Sequence, residues 1–326
     1  FDWLLTDRNE RQGESMVNVA VLGTNFGMNH IEIYQKIADV TIKYVFGRNQ
    51  NALSKIHREY GIFVTDRFED ILEDGSIDLI DICLPTELHH EYAIRALRKS
   101  KHVFCETPIS FSLREAKEIA YVADGNKRHV YVDMFTKYST PHQIGINYAK
   151  SNKLGKIHYL EAYNKTPSTW GDLSIGRSVF TFFIHNLDFL LEILGNPKSI
   201  ASYGIDMKRR SVIQANYGYE RAMATLISDS SLPENSPFLI GYNIDGEKGS
   251  VRFRGSFGEE VEQSVHVNLD GVEQRVEVPE TDDYEQVIRH VLECLKRDEK
   301  SPNLDIDHAV ASLEVATKTR EKTVIF

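Results

Sequence analysis

Apolar positions first cluster in short, nearly continuous runs: Val17 to Leu22, Thr41 to Phe46, Ile62 to Val64, Leu79 to Cys83, Val103 to Cys105 and Val130 to Phe135. Between them, helical spacing marks about Met28 to Ala38, Asn51 to Tyr60, Arg67 to Leu72 and Glu87 to Lys99. Ser112-Leu-Arg-Glu115 reads as a capping box opening a further helix to about Asp124. Buried strands alternating with helices predict a parallel sheet covered on both faces.

The pattern changes after about Gly155. A strand from His158 to Tyr163 leads into a loop containing Trp170, then into an apolar helix, Phe180 to Leu194, stopped by Gly195 and Pro197. Strands then follow one another: Ser199 to Met207, Val212 to Tyr217, Ala222 to Ser228, Phe238 to Asp245, Gly249 to Arg254, Val261 to Val267 and Gln274 to Val278. Turn signals such as Asp270-Gly271 separate them, which predicts a mostly antiparallel sheet. Helices over Asp283 to Arg297 and Ile306 to Lys318 close the chain. The expected organisation is an α/β domain over 16–138 and a sheet-rich α+β domain over 139–326, the last helix able to pack back on the first domain. Residues 1–15 read as a leader or cloning remnant, with Met16 a plausible start.

Composition narrows the function classes. A formal net charge of -10 argues against a polyanionic partner. No apolar run approaches the ~20 residues of a membrane helix. Cys83, Cys105 and Cys294 lack C-x-x-C spacing, which argues against a disulfide framework or a zinc site and makes a cytoplasmic setting the default.

Candidate chemistry starts at Gly23-Thr-Asn-Phe-Gly27, between the first strand and the first helix. A tight turn followed by a helix start presents backbone N–H groups to a phosphate, although strand, turn and helix also form an ordinary structural unit. The second strand ends Tyr44-Val-Phe-Gly-Arg48-Asn49. No carboxylate stands there to receive a ribose 2′-hydroxyl, and Arg48 can clamp a 2′-phosphate, so NADP(H) is favoured over NAD(H). The alternative is a solvated loop charge. Thr181, His185, Asp188 and Glu192 fall on one face of the predicted helix. That face is either a solvated stripe or a site.

Four motifs line up in order: Gly23-Thr-Asn-Phe-Gly-Met-Asn-His30, Leu84-Pro-Thr-Glu-Leu-His89, Cys105-Glu-Thr-Pro108 and His185-Asn-Leu-Asp188. Together they resemble the glucose-fructose oxidoreductase / inositol dehydrogenase / MocA family, whose counterparts read approximately G-x-G-x-x-G-x-x-H, T-P-x-x-x-H, E-K-P and D-x-x-x-H-x-x-D. The resemblance implies a Rossmann dinucleotide-binding domain, then a substrate domain whose sheet packs in a homodimer or homotetramer. It implies hydride transfer between a nicotinamide and a small sugar-like, carbonyl or imine compound.

Carried over residue by residue, it implies cofactor contacts at Gly23, Thr24, Asn25, Phe26, Gly27, Arg48, Asn49, Leu84, Pro85, His89, Glu106 and Thr107. It makes His185 the acid/base, with Thr181, Asp188, Lys165 and Trp170 toward substrate. Asp188 would hold either the imidazole or the helix, and Trp170 would stack on a sugar or simply pack. His89 is equally readable as a polar helix-start residue. Two positions depart from the family: Thr107 replaces the lysine of E-K-P, and Thr181 sits where an aspartate is usual. Lys137 is the candidate replacement cation. These departures also motivate a second reading, a non-catalytic nucleotide-binding regulator.

Overall fold

The computed structural model describes residues 16–167, 171–258, 260–279 and 281–326. The expected leader and Trp170 lie outside the described residues. Six parallel strands form the first sheet: β1 (Val17–Leu22), β2 (Val40–Phe46), β3 (Phe63–Thr65), β4 (Leu79–Ile82), β5 (His102–Glu106) and β6 (Val130–Asp133). Their order is β3-β2-β1-β4-β5-β6. Helices α1 (Gly27–Tyr34), α2 (Gln50–Tyr60), α3 (Phe68–Glu73), α4 (Thr86–Arg98) and α5 (Leu113–Asn126) alternate with these strands. All four residues of β4 are buried, as expected of a strand covered on both faces. The strand order reverses between β1 and β4, which opens a crevice at their C-terminal ends, beside Gly23 and Cys83. The box expected at Ser112 is closed differently. Ser112 Oγ accepts from the Glu115 N–H at 3.4 Å, but Glu115 accepts from Ser110 Oγ at 2.6 Å, and Ser110 Oγ in turn accepts from the Ser112 N–H at 3.0 Å.

A 3-10 turn, Phe135–Lys137, and α6 (Thr140–Lys150) lead to the second sheet. Its strands are β7 (Ile157–Pro167), β8 (Ser199–Asp206), β9 (Ser211–Gly218), β10 (Met223–Leu232), β11 (Phe238–Gly246), β12 (Gly249–Phe257), β13 (Val261–Leu269), β14 (Val272–Val276) and β15 (Thr323–Ile325). The order is β14-β13-β12-β11-β7-β10-β9-β8-β15. Two pairs, β7 with β10 and β8 with β15, are parallel; the other pairings are antiparallel.

One helix was expected from Phe180 to Leu194. Two are present: α7 (Ile175–Thr181) and α8 (Phe183–Leu194), broken at Phe182, where φ is -120° and ψ -48°. The Phe182 carbonyl accepts a 2.7 Å hydrogen bond from the buried Asn164 side chain of β7. That bond satisfies a carbonyl at the break and ties the helix pair to the sheet.

The chain then returns to the first sheet through α9 (Asp283–Lys296) and α10 (Ile306–Lys322). Val132 N–H donates to Leu304 O at 2.8 Å and Tyr131 Oη to Glu299 O at 2.8 Å. Helix α9 packs on α1, and α10 packs on α5, α7 and α8. Among the described residues no helix is long and apolar enough to cross a membrane.

Candidate active site

Gly23 ends β1 with φ +126°, and a Cβ there would lie 2.5 Å from the Cys83 carbonyl oxygen. Only glycine lets β1 and β4 approach this closely with that backbone angle. Gly27 sits in the same crevice, where a Cβ would meet Val21 Cγ1 at 3.2 Å. Between them Asn25 and Phe26 are exposed and Thr24 is half-buried, so the turn faces outward at the start of α1. Arg48 is exposed one residue past Gly47, whose own missing Cβ leaves room for Thr24 Cγ2 at 2.7 Å. Asn49 caps α2, its side chain accepting from the N–H groups of Asn51 and Ala52, both at 3.1 Å. The glycine turn, Arg48 and the α2 N-terminus therefore lie along one edge.

The neighbouring loops after β4 and β5 are stapled together. Leu84 is half-buried and Pro85 is exposed at the α4 start. His89 is buried, with Nδ1 2.9 Å from Pro108 O and Nε2 2.7 Å from Leu84 O. Burial lowers its pKa, with the two carbonyls opposing that shift. His89, in the first turn of α4, thus holds two loops together. Thr107 Oγ1 donates to the Asp133 carbonyl at 2.6 Å, so its hydroxyl joins the ends of β5 and β6.

His185 is half-buried on α8, its ring 4.9 Å from that of Phe135. Phe135 lies 4.9 Å from Tyr284, and Tyr284 lies 5.4 Å from Phe26 of the glycine turn. An aromatic row therefore connects the turn to His185. Burial depresses the His185 pKa to about 4, which keeps the imidazole neutral near pH 7.

The remaining substrate candidates separate. Thr181 lies on α7, beyond the break, and donates to Arg177 O at 3.1 Å. Asp188 is buried; Ser312 Oγ donates to it at 2.8 Å, and Lys137 Nζ lies 3.2 Å away. Its role here is to hold α8, and no contact joins it to His185. Lys137 is 1% exposed, also 3.6 Å from Glu192, and donates to Asn303 O at 2.9 Å. These acceptors occupy its ammonium, so it pins the 3-10 turn to α8 and is not displayed to a substrate. Lys165 alternates with Asn164 on β7 and so points to the opposite face of the sheet from α8; its ammonium lies 5.8 Å from the Tyr163 ring. The structure does not bring Lys165 together with His185.

A cluster unassigned in the sequence lies beneath the turn. His30, Asp81 and Asp133 are all fully buried. His30 Nδ1 is 2.8 Å from Asp81 Oδ2, which also accepts from Tyr34 Oη at 3.0 Å. His30 Nε2 is 3.1 Å from Glu106 Oε1 and 3.7 Å from Asp133 Oδ2. Burial opposes a charged His30, but Asp81 and Cys83 outweigh it and hold its pKa well above the ordinary value. Burial, then the charge of Glu106, pushes Asp133 far up. His30 stood in the first motif, but strand positions 81 and 133 gave no local sign that their side chains meet it.

A parallel sheet with a glycine turn at its switch point, followed by a large mixed sheet whose helix α8 carries His185, is the architecture of a dinucleotide-binding oxidoreductase fold. Residues 17–134 match the Gfo/Idh/MocA oxidoreductase family with NAD-binding Rossmann fold. That match spans the first sheet with its helices and the glycine turn, and it goes with an NAD(P)-dependent oxidoreductase. The chain is 29% identical over 181 residues to YrbE of Bacillus subtilis, an uncharacterized oxidoreductase, a match covering 52% of this chain and 51% of that protein. It is 21% identical over 273 residues to the NADP(+)-dependent scyllo-inositol 2-dehydrogenase IolW of Bacillus subtilis, covering 76% and 75% of the two chains. The fold is shared with a levoglucosan dehydrogenase solved with NADH, at TM-score 0.82 and 15% identity, covering 94% of this chain and 97% of that one.

Proposed function

We propose that this protein transfers a hydride between NADP(H) and the carbinol or carbonyl carbon of a polyol or sugar-like molecule, with His185 exchanging the proton. The observation that carries this reading is the shared edge. The outward glycine turn and the half-buried, neutral imidazole are joined by Phe26, Tyr284 and Phe135. A bound nicotinamide supplies and accepts the hydride. The protein contributes position, a dry wall of rings and a proton acceptor. Gly23 to Gly27 would hold the pyrophosphate, and Arg48 beside the capped start of α2 would hold a 2′-phosphate. Glu106 and Thr107 would border the nicotinamide side. The names of the inositol and levoglucosan dehydrogenases support the polyol class. We place subunit contacts on the face of the second sheet turned away from α8, where Tyr159, Glu161, Tyr163 and Lys165 alternate outward.

Fluorescence titration with NADPH and NADH tests the cofactor end. Loss of a charge-assisted phosphate contact is worth about 1.5–3 kcal/mol, so Arg48→Ala is expected to weaken NADPH roughly 10- to 100-fold and leave NADH unchanged. Gly23→Ala, as a control, removes binding of both. Equal weakening of NADPH and NADH by Arg48→Ala would refute the 2′-phosphate assignment.

A further inference from the structure

We propose that His30, Glu106 and Asp133 form a divalent-cation site at the C-terminal edge of the first sheet. Three observations carry it. The first is geometry: His30 Nε2 lies 3.1 Å from Glu106 Oε1 and 3.7 Å from Asp133 Oδ2. Zinc bonds of about 2.0–2.1 Å in tetrahedral array set ligand atoms roughly 3.3–3.4 Å apart, between those two values. The three ligand atoms come from α1, β5 and β6, and all lie within 4.8 Å of one another.

The second is orphaned polarity. Both carboxylate oxygens of Asp133, His30 Nε2 and Glu106 Oε1 are buried without a hydrogen-bond partner. Asp133 and His30 are each 0% exposed. Buried polar atoms without partners are costly, and four at one point call for a common partner.

The third is the outer contact. His30 Nδ1 is 2.8 Å from Asp81 Oδ2, and Tyr34 Oη steadies the same oxygen at 3.0 Å. With His30 protonated, Nε2–H faces Glu106 and Asp133 while Nδ1–H stays on Asp81; a cation that displaces the Nε2 proton meets the ring lone pair and both carboxylates together. A carboxylate bound to the far nitrogen of a ligating histidine is the usual support of such sites. One imidazole nitrogen with two carboxylates suits zinc or manganese. Glu106, the one member with exposure, at 17% of its side chain, marks the entry path. If the hydride-transfer reading holds, this cation also places positive charge beside Thr107, where the E-K-P lysine of the resembling enzymes stands. Binding itself does not depend on that reading.

The test is calorimetric titration of chelator-treated protein with zinc chloride and with manganese chloride. It uses a His129→Ala background, because His102, His129 and Asp298 form a second, more exposed group of possible ligands. We expect one equivalent bound at micromolar affinity or tighter, weakened at least tenfold by Asp133→Asn or Glu106→Gln. Cobalt should give the visible bands of a low-coordinate site, lost in the same variants. Thermal melts guard against misfolded variants: without metal, Asp133→Asn melts at or above the parent, and added zinc raises the melt of the parent alone. No uptake of zinc, manganese or cobalt, or equal uptake by the parent and folded Asp133→Asn, would overturn the site. Nucleotide binding, measured separately, reports on the proposed function whichever result is found.

Discussion

Replacing His185 by alanine is expected to lower kcat/KM by about 10²- to 10⁴-fold, the usual worth of a placed acid/base, while leaving the Kd for NADPH unchanged. The split follows from position. His185 sits on α8 of the second domain and touches Phe135, whereas the turn and Arg48 belong to the first domain. The pH dependence makes the expectation sharper. Burial depresses the His185 pKa to about 4, so the free protein carries the neutral base at every pH well above that. In the oxidative direction kcat/KM should be on a plateau through neutrality and fall about tenfold per unit as pH drops below about 4. In the reductive direction the acid form is required, so kcat/KM should fall about tenfold per unit as pH rises above about 4. Unchanged turnover in His185→Ala would remove His185 from the chemistry.

The second large effect is on stability. Lys137 and Asp188 are 2% and 4% exposed by side chain and 3.2 Å apart. Asp188 has Ser312 as its other partner, while Glu192 also has Lys150. Lys137→Met strands a buried carboxylate, expected to cost about 3–5 kcal/mol and lower an apparent Tm by roughly 10 °C. Adding Asp188→Leu should recover much of that loss, because it removes the stranded charge. Denaturant melts of both variants measure it. A Lys137→Met protein within experimental error of the parent would mean that the pair does not hold α8. The consequence reaches the site, since Lys137 fixes the turn that carries Phe135 against His185.

Local patterns made the first sheet readable. Val17–Leu22 and Leu79–Ile82 are continuous apolar strands, and Gly23 announces a turn that needs an unusual backbone angle. The second sheet was readable as strands, but its two parallel pairings are long-range choices that no window reveals. The α7–α8 break was hidden because Phe182 suits a helix, and the Asn164 side chain that bonds its carbonyl lies 18 residues earlier. Motif order singles out the glycine turn and His185, which the structure links through Phe26, Tyr284 and Phe135. It misplaced Lys137, which reads as a free cation until Asp188 and Glu192 are seen around it. It misplaced Lys165, because adjacent polar residues on a strand do not say which faces inward. The His30 cluster was illegible for the same reason: His30 and Asp81 are 51 residues apart in sequence, and only the sheet order brings them together.

Turnover with a saturating nicotinamide tests the central claim most directly. The protein is loaded with NADP+ and offered polyols and sugars, and then with NADPH and offered carbonyl and imine compounds, while the absorbance of the reduced nicotinamide is followed. The account predicts a rise with at least one polyol or sugar, slowed at least a hundredfold in His185→Ala, as expected for loss of an acid/base. Tight NADP(H) binding with no absorbance change across any panel, in either direction, would contradict it and leave a nucleotide-binding regulator in its place.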